Sequence, residues 1–150
     1  MCTNYDELTT KWQKRRFWLF EKRRFWKILR IELDELHSIY YTYKWKIGLN
    51  EAVQQNIWFD RQPYPKATKQ DCIDSKGNLG IHVYLYKYVA ASIIEEKQWS
   101  ERKHIIVPVW GHKDDFVHAD SVAGLFTQVT LTQKDWDKYV KPHLLRAKVI

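Results

Sequence analysis

A basic and aromatic motif occurs twice near the start of the chain, and its residue types are those that bind phosphates and bases. The sequence KRRFW begins at residue 14 and again at residue 22. Lysine and arginine neutralise phosphates, and adjacent phenylalanine and tryptophan rings stack on unpaired bases. The motif predicts a surface that contacts nucleic acid, a nucleoprotein complex or an acidic partner, formed by Lys14, Arg15, Arg16, Phe17, Trp18, Lys22, Arg23, Arg24, Phe25, Trp26, Lys27 and Arg30.

The positive charge of the chain is concentrated around this motif. The whole protein has a formal net charge of +7, and residues 11–30 hold nine basic residues against one acidic residue, Glu21. The remaining residues therefore sum to about −1. A charged segment on a neutral body is typical of an electrostatic contact surface. Two alternatives stay open: docking on an acidic protein, and a solvated face whose cations lie over rings that face the core.

A second candidate site is the polar segment over residues 112–120. Imidazoles and carboxylates are metal ligands, but the histidine spacing matches no standard zinc pattern and no cysteine joins them. A polar turn between two strands has the same composition. We therefore predict no metal and no cofactor, and keep metal-assisted chemistry as an alternative for this segment, whose candidate ligands are His112, Asp114, Asp115, His118 and Asp120.

A third candidate is His82, in the sequence GIHVY, which precedes a helix that contains alanine. Over about fifteen residues this segment resembles one strand–helix step of ADP-ribosyltransferase-like folds. The resemblance implies catalysis around His82, but the acidic residue that such enzymes direct at the nicotinamide ribose is not identifiable here. A histidine beside tyrosines on a strand is commonly a hydrogen-bonded structural residue. We expect a binding protein rather than an enzyme, with ADP-ribosyltransferase-like activity as the alternative.

Cysteine content and apolar run lengths predict the compartment. Cys2 and Cys72 are too few for a disulfide framework, and Cys72 as a nucleophile would need a partner histidine. The first residues lack a signal-peptide pattern, and no apolar run approaches the ~18–20 residues that cross a bilayer. We expect a soluble, cytoplasmic protein with no membrane partner. One further hypothesis is a virus- or phage-encoded inhibitor, acting in the host cytosol on a nucleic-acid-processing defence complex.

The elements that position these residues follow from hydrophobic periodicity. We predict one α+β domain over residues 1–150, with a basic aromatic segment at 1–30 and a long loop at 60–80. Its mostly antiparallel sheet has about five strands, with an N-terminal basic helix and two or three short helices. A hairpin over residues 17–31 is an alternative to that basic helix. Helices are predicted at residues 6–22, 50–57, 87–97 and from 132 to before Pro142; strands are predicted at 25–32, 41–47, 81–86, 105–110, 116–119 and 125–131.

Overall fold

The part of the chain that the structure describes folds into an antiparallel sheet of eight strands with short helices packed against it. The computed structural model describes residues 20–32, 35–39, 44–54 and 65–148. The strand order is β3-β8-β5-β1-β4-β7-β6, and β2 pairs with the end of β1. The strands are β1 Lys22–Glu32, β2 Glu35–His37, β3 Gly48–Glu51, β4 Ile81–Tyr84, β5 His104–His112, β6 Phe116–Ala119, β7 Ala123–Phe126 and β8 Gln128–Leu131.

Helices connect or follow the strands. The longest described helix has 11 residues. The last helical segment changes geometry along its length, from α to π and back to α. Within the described ranges, no helix is both long and apolar enough to cross a bilayer. The described helices are α1 Lys69–Asp74, α2 Lys87–Lys97, the 3₁₀ turn Lys113–Asp115, α3 Gln133–Asp135, the π-helical turn Trp136–Val140 and α4 Lys141–Lys148.

Strand β1 lies inside the sheet and contributes to the core on both faces. It pairs with β5 over nine positions and with β4 at Trp26↔Tyr84. Its odd-numbered residues Phe25 and Leu29 enter the main hydrophobic cluster, while Ile28 joins a second cluster with Ala90 and Ile94 of α2. Successive side chains of a strand point to opposite faces, so period-two alternation divides β1 between two cores. Fully burying one such side chain stabilises the fold by roughly 1.5–3 kcal/mol.

The predicted fold class is wrong in its balance of sheet and helix. The described residues form eight strands rather than about five, and the α+β description with a basic helix gives way to a sheet-dominated fold. Lys22, placed at the end of the predicted basic helix, is instead the first residue of β1. The nine pairs with β5 and the burial of alternate residues hold this segment as a strand. Residues 6–19, which carry the rest of that helix and the first arm of the alternative hairpin, lie outside the described part.

Several predicted elements are confirmed, and others are wrong for identifiable reasons. Strands β4 and β6, the strand at residues 25–32 and helix α2 lie where the patterns placed them. The predicted helix at 50–57 begins instead in β3, where the buried Asn50 side chain donates to the carbonyl of Lys46 and accepts from its N–H. The predicted strand at 125–131 is two strands separated at Thr127. The strand that was predicted at 41–47 is not formed by residues 44–47, which are the part of it that the structure describes.

Two prolines occupy positions where proline is uncommon, one in an inner strand and one within a helix. Pro108 lies in β5, which is an inner strand, but the pairing of β5 with β8 is confined to Trp110↔Thr130. The missing N–H of Pro108 therefore interrupts no pair with β8. Pro142 was expected to stop the last helix, and instead lies within α4. It follows the π-helical turn, whose wider i→i+5 spacing relieves the clash between a proline ring and the preceding carbonyls.

Candidate nucleic-acid interface

The cations of the described motif copy are divided between the two faces of β1. Alternation places Lys22, Arg24 and Arg30 on the face that includes Trp26, and Arg23 and Lys27 on the opposite face. Arg30 forms an ion pair with its strand neighbour Glu32 at 3.2 Å, and Lys27 borders a separate cavity beside His82. One contiguous surface from all of these cations is therefore not formed. The first copy of the motif, Lys14, Arg15, Arg16, Phe17 and Trp18, lies outside the described residues.

Phe25 belongs to the core and not to a contact surface. Its side chain is fully buried, and its ring packs against Phe126 with centroids 5.0 Å apart. Arg23 lies with its guanidinium carbon 5.6 Å from the centroid of the Phe25 ring. Of the two aromatic residues in this motif copy, only Trp26 remains at the boundary between core and surface.

Arg24 joins the strand to the C-terminal helical segment. One terminal nitrogen donates to the hydroxyl oxygen of Tyr139 at 3.3 Å and lies 3.7 Å from a carboxylate oxygen of Asp135. The guanidinium carbon lies 4.9 Å from the Trp26 ring centroid and 5.8 Å from that of Tyr139. Cations within about 6 Å of an aromatic centroid are attracted to its face. Arg24 is therefore held in place by one ion pair, one hydrogen bond and two rings.

Two further lysines complete this cation and aromatic cluster. The rings of Trp26 and Tyr139 meet edge to face, with centroids 6.2 Å apart. Lys138 lies with Nζ 5.2 Å from the Tyr139 centroid, and Lys87 with Nζ 5.4 Å from Trp26 and 6.0 Å from Tyr139. Burial opposes ionisation of Tyr139, but the hydrogen bond from Arg24 and the neighbouring positive charges outweigh it and lower its pKa.

The register of three strands builds the floor of a cleft next to this cluster. Lys22 pairs with His112, Arg24 pairs with Trp110, and Trp110 pairs with Thr130 of β8. Directly paired residues of an antiparallel sheet point to the same face, so these side chains form one surface. The wall is the start of the C-terminal helical segment, which is capped by the Thr132 hydroxyl accepting from the backbone N–H of Asp135 at 3.1 Å. This cap fixes the direction in which the wall leaves β8.

The cleft has a volume of about 690 Å³ and a surplus of positive charge. Four cations and one carboxylate, that of Asp135, belong to its described lining. At the rim, His112 lies 3.9 Å from Glu21 and 3.4 Å from Asp114. The half-buried Trp110 contributes the aromatic surface. We refer to this site as the basic cleft: it is lined by Lys22, Arg24, Trp110, Gly111, His112, Thr130, Thr132, Lys134, Asp135 and Lys138.

Half of the charge in the basic cleft was not predicted from the sequence. Lys134 and Lys138 lie in an ordinary mixture of charges near the end of the chain, and nothing local marks them as site residues. They are four positions apart, which places them on the same side of a helix, and this is the one signal that the sequence offered. Tyr139, which links Lys138 to Arg24, is 115 residues away from Arg24 along the chain.

His82 occupies a different part of the molecule. Its Nε2 forms a 2.6 Å hydrogen bond with the carbonyl oxygen of Gly77, which ties β4 to the turn after α1. Burial, followed by the charge of Lys27, lowers the pKa of His82 to about 4, so the imidazole is neutral at pH 7. The ring borders a cavity of about 250 Å³ that also includes Trp99 and Glu96. The hydrogen bond gives His82 a structural role in joining these two segments.

The structure does not gather residues 112–120 into a metal site. His112 accepts at Nδ1 from the backbone N–H of Asp114, while His118 is buried on β6 opposite Leu125. Asp120 accepts from the N–H groups of residues 122 and 123 and so shapes the turn into β7. Throughout the ranges that the structure describes, no three histidine, cysteine, aspartate or glutamate side chains are placed to hold a metal ion.

Cys72 is a core residue of α1 and not an exposed thiol. Its side chain is fully buried, with Sγ 3.3 Å from the position that a Cβ would take at Gly80. Burial, followed by the charge of Asp71, raises the pKa of the thiol to about 11. A nucleophilic cysteine requires an accessible thiolate near neutral pH. The thiol of Cys72 is inaccessible and protonated at neutral pH, so it does not meet this requirement.

Comparison of the chain with models of known protein families, with curated proteins and with solved structures gave no match.

Proposed function

We propose that the protein binds nucleic acid, through the basic cleft. The observation that carries the proposal is the convergence of four cations and a half-buried tryptophan on one concave surface. The cations come from two distant parts of the chain, Lys22 and Arg24 from β1 and Lys134 and Lys138 from the C-terminal segment. Phosphodiester backbones bind to such surfaces by releasing condensed counterions, and aromatic rings in the same groove accept bases.

The spatial arrangement supports this proposal over a merely solvated basic face. Charges on a solvated face have no reason to converge, since like charges repel each other when they are brought together. Here Arg24 is oriented by Tyr139 and Asp135, and Lys138 lies against the same tyrosine. A cleft with one sign of charge concentrates field lines and raises the local concentration of a polyanion.

The test is a salt series with short labelled single- and double-stranded DNA and RNA. We expect the logarithm of the binding constant to fall linearly with the logarithm of salt concentration, with a slope of about −0.7 to −0.9 per phosphate contact. The test variant replaces the three exposed lysines of the cleft, K22Q/K134Q/K138Q, and keeps Arg24 because of its structural contacts. We expect its slope to be shallower than that of the wild type by about 2.

A matched control separates the cleft from general charge. The variant K46Q/K69Q/K103Q removes the same three charges from exposed lysines that do not line the cleft. We expect its slope to stay within about 0.5 of the wild-type slope, since the slope counts phosphate contacts and these lysines do not line the cleft. Equal losses in both variants would contradict a defined site.

Absence of binding at ~50 mM salt, where phosphate contacts are strongest, would overturn the proposal. The same cleft would then be tested against acidic proteins, the alternative partner class for a basic surface with an aromatic anchor. The hypothesis of a virus- or phage-encoded inhibitor stays a prediction. It requires in addition that the cleft compete with the nucleic-acid site of a host complex.

A further inference from the structure

Two tyrosines at the start of α2 form an exposed stacked pair beside the cation and aromatic cluster. Tyr86 is the N-cap residue of α2 and Tyr88 lies in its first turn. Their ring centroids are 5.5 Å apart with an interplanar angle of 19°, and their exposed fractions are 44% and 67%. These are large apolar rings that the fold leaves in solvent.

The folded core does not account for this pair. Helix α2 is anchored to the sheet by its buried residues Ala90 and Ile94, which pack with Ile28 and Tyr84. The hydroxyl-bearing rings at its first turn make no comparable contribution to the core, because most of the Tyr88 side chain stays in water. Exposed aromatic surface that contributes little to stability is a typical mark of an interaction site.

The position of the intervening lysine connects the pair to the cluster. Lys87 lies between the two tyrosines in sequence, and its Nζ is 5.4 Å from the Trp26 ring centroid. Arg24 lies against the same tryptophan and also lines the basic cleft. Cations and rings in mutual contact therefore run from the cleft through Trp26 to Lys87, whose neighbours in the chain are the two tyrosines.

We infer that Tyr86 and Tyr88 form a stacking platform for unpaired bases, which makes single-stranded nucleic acid the preferred ligand. This inference rests on the proposed function of the basic cleft. The two rings support each other's orientation, so the pair presents a flat surface with little ordering cost. Lys87 supplies a cation for the adjoining phosphate. Bases inside a duplex are already stacked and do not offer their faces to the platform.

The experiment compares two tyrosine variants of the full chain on three probes. The variant Y86A/Y88A removes the rings, and Y86F/Y88F keeps them without the hydroxyls. The probes are a single strand of thymidine or uridine about 15 nucleotides long, a duplex of equal length, and an abasic single strand that keeps the phosphates. Stacking of one base on an aromatic side chain corresponds to roughly a 5- to 100-fold change in affinity.

We expect Y86A/Y88A to bind the single strand roughly 5- to 100-fold more weakly than the wild type, at an unchanged salt slope. Y86F/Y88F should bind as the wild type does, and the abasic and duplex probes should not distinguish the three proteins. Unchanged affinity of Y86A/Y88A for the single strand would overturn the platform. An equal loss on the abasic strand would also overturn it, because the rings would then not act on bases. Failure of the cleft itself would appear differently, as absence of salt-dependent binding to every probe.

Discussion

Replacement of Gly111 by alanine tests the packing that holds the floor of the basic cleft. Gly111 is a buried residue of β5, between two residues that line the cleft. A Cβ at this position would lie 2.7 Å from two ring carbons of Phe126 and 3.0 Å from a ring carbon of Phe25. Heavy atoms of side chains do not approach this closely without displacement, so the substitution overpacks the core.

The magnitude follows from how little these rings can move. Phe126 is fully buried and is held between Phe25 and Phe116, with centroids 5.0 and 5.7 Å away. Overpacking of a tight core costs about 1–3 kcal/mol, and two contacts under 3.0 Å place G111A in the upper part of that range. Alanine recovers about 0.5–1 kcal/mol, because glycine loses more backbone entropy on folding. We expect a net loss of about 1–2 kcal/mol in the free energy of unfolding.

The assay is denaturant unfolding of the wild type, G111A, F126L and the double variant G111A/F126L. The midpoint should fall in G111A at an unchanged slope, and the melting temperature should fall by roughly 2–8 °C. Because leucine lacks the ring carbons that alanine would meet, the double variant should be about 1–2 kcal/mol more stable than the sum of the single effects. Stabilisation by G111A of about 0.5–1 kcal/mol, the backbone entropy alone, would refute this account of the core.

Two predictions concern buried titratable groups. Because the pKa of His82 is about 4 in the folded chain against 6.5 for an unperturbed imidazole, the folded state resists protonation. The free energy of unfolding should be highest above pH 6.5 and fall by up to about 3 kcal/mol as the pH decreases from 6.5 to 4. The variant H82Q should show a flatter dependence in the part of this range that lies above the titration of the carboxyl groups. For Cys72, with its thiol pKa near 11, we expect alkylation at pH 8 to follow the unfolding rate. Rapid labelling of its peptide in native protein, quantified by mass spectrometry, would contradict the burial.

Local patterns predicted the elements that are long enough for their apolar residues to recur at a regular spacing. Helix α2 was predicted at its observed bounds because apolar residues recur at helical spacing between polar ones. Strand β4 followed from simple alternation. The short strands β2 and β3 were missed, since three or four residues are too few for a period to stand out. Their existence depends on pairing with β1 and β8, which is a property of the folded chain.

Two of the four cations that line the basic cleft were among the residues predicted from the sequence. The sequence identified Lys22 and Arg24 through local charge density, which needs no knowledge of the fold. Their partners Lys134 and Lys138 were missed because the two segments meet only through tertiary packing over more than 100 residues. The same packing removed Phe25 from the predicted surface, because the parity of its position directs it into the core. The composition of the sequence therefore indicates where the positive charge is concentrated. Which of the charged side chains share a site depends on the face of the strand on which each lies and on contacts between distant segments.

Because alternate residues of β1 point to opposite faces, a change in the number of residues in this strand disturbs the fold more than a change of one residue type. One residue inserted between Arg24 and Trp26 would exchange the two faces for the remainder of the strand. The Arg30 side chain would then point towards the main core, while Leu29 and Ile31 would turn away from it. Exchange of lysine for another polar residue on the cleft side leaves this pattern intact. Among related chains, we therefore expect Lys22 to be exchangeable for arginine, which keeps the positive charge of the cleft. A single-residue insertion or deletion within β1 should be absent, because it would change the parity of the strand.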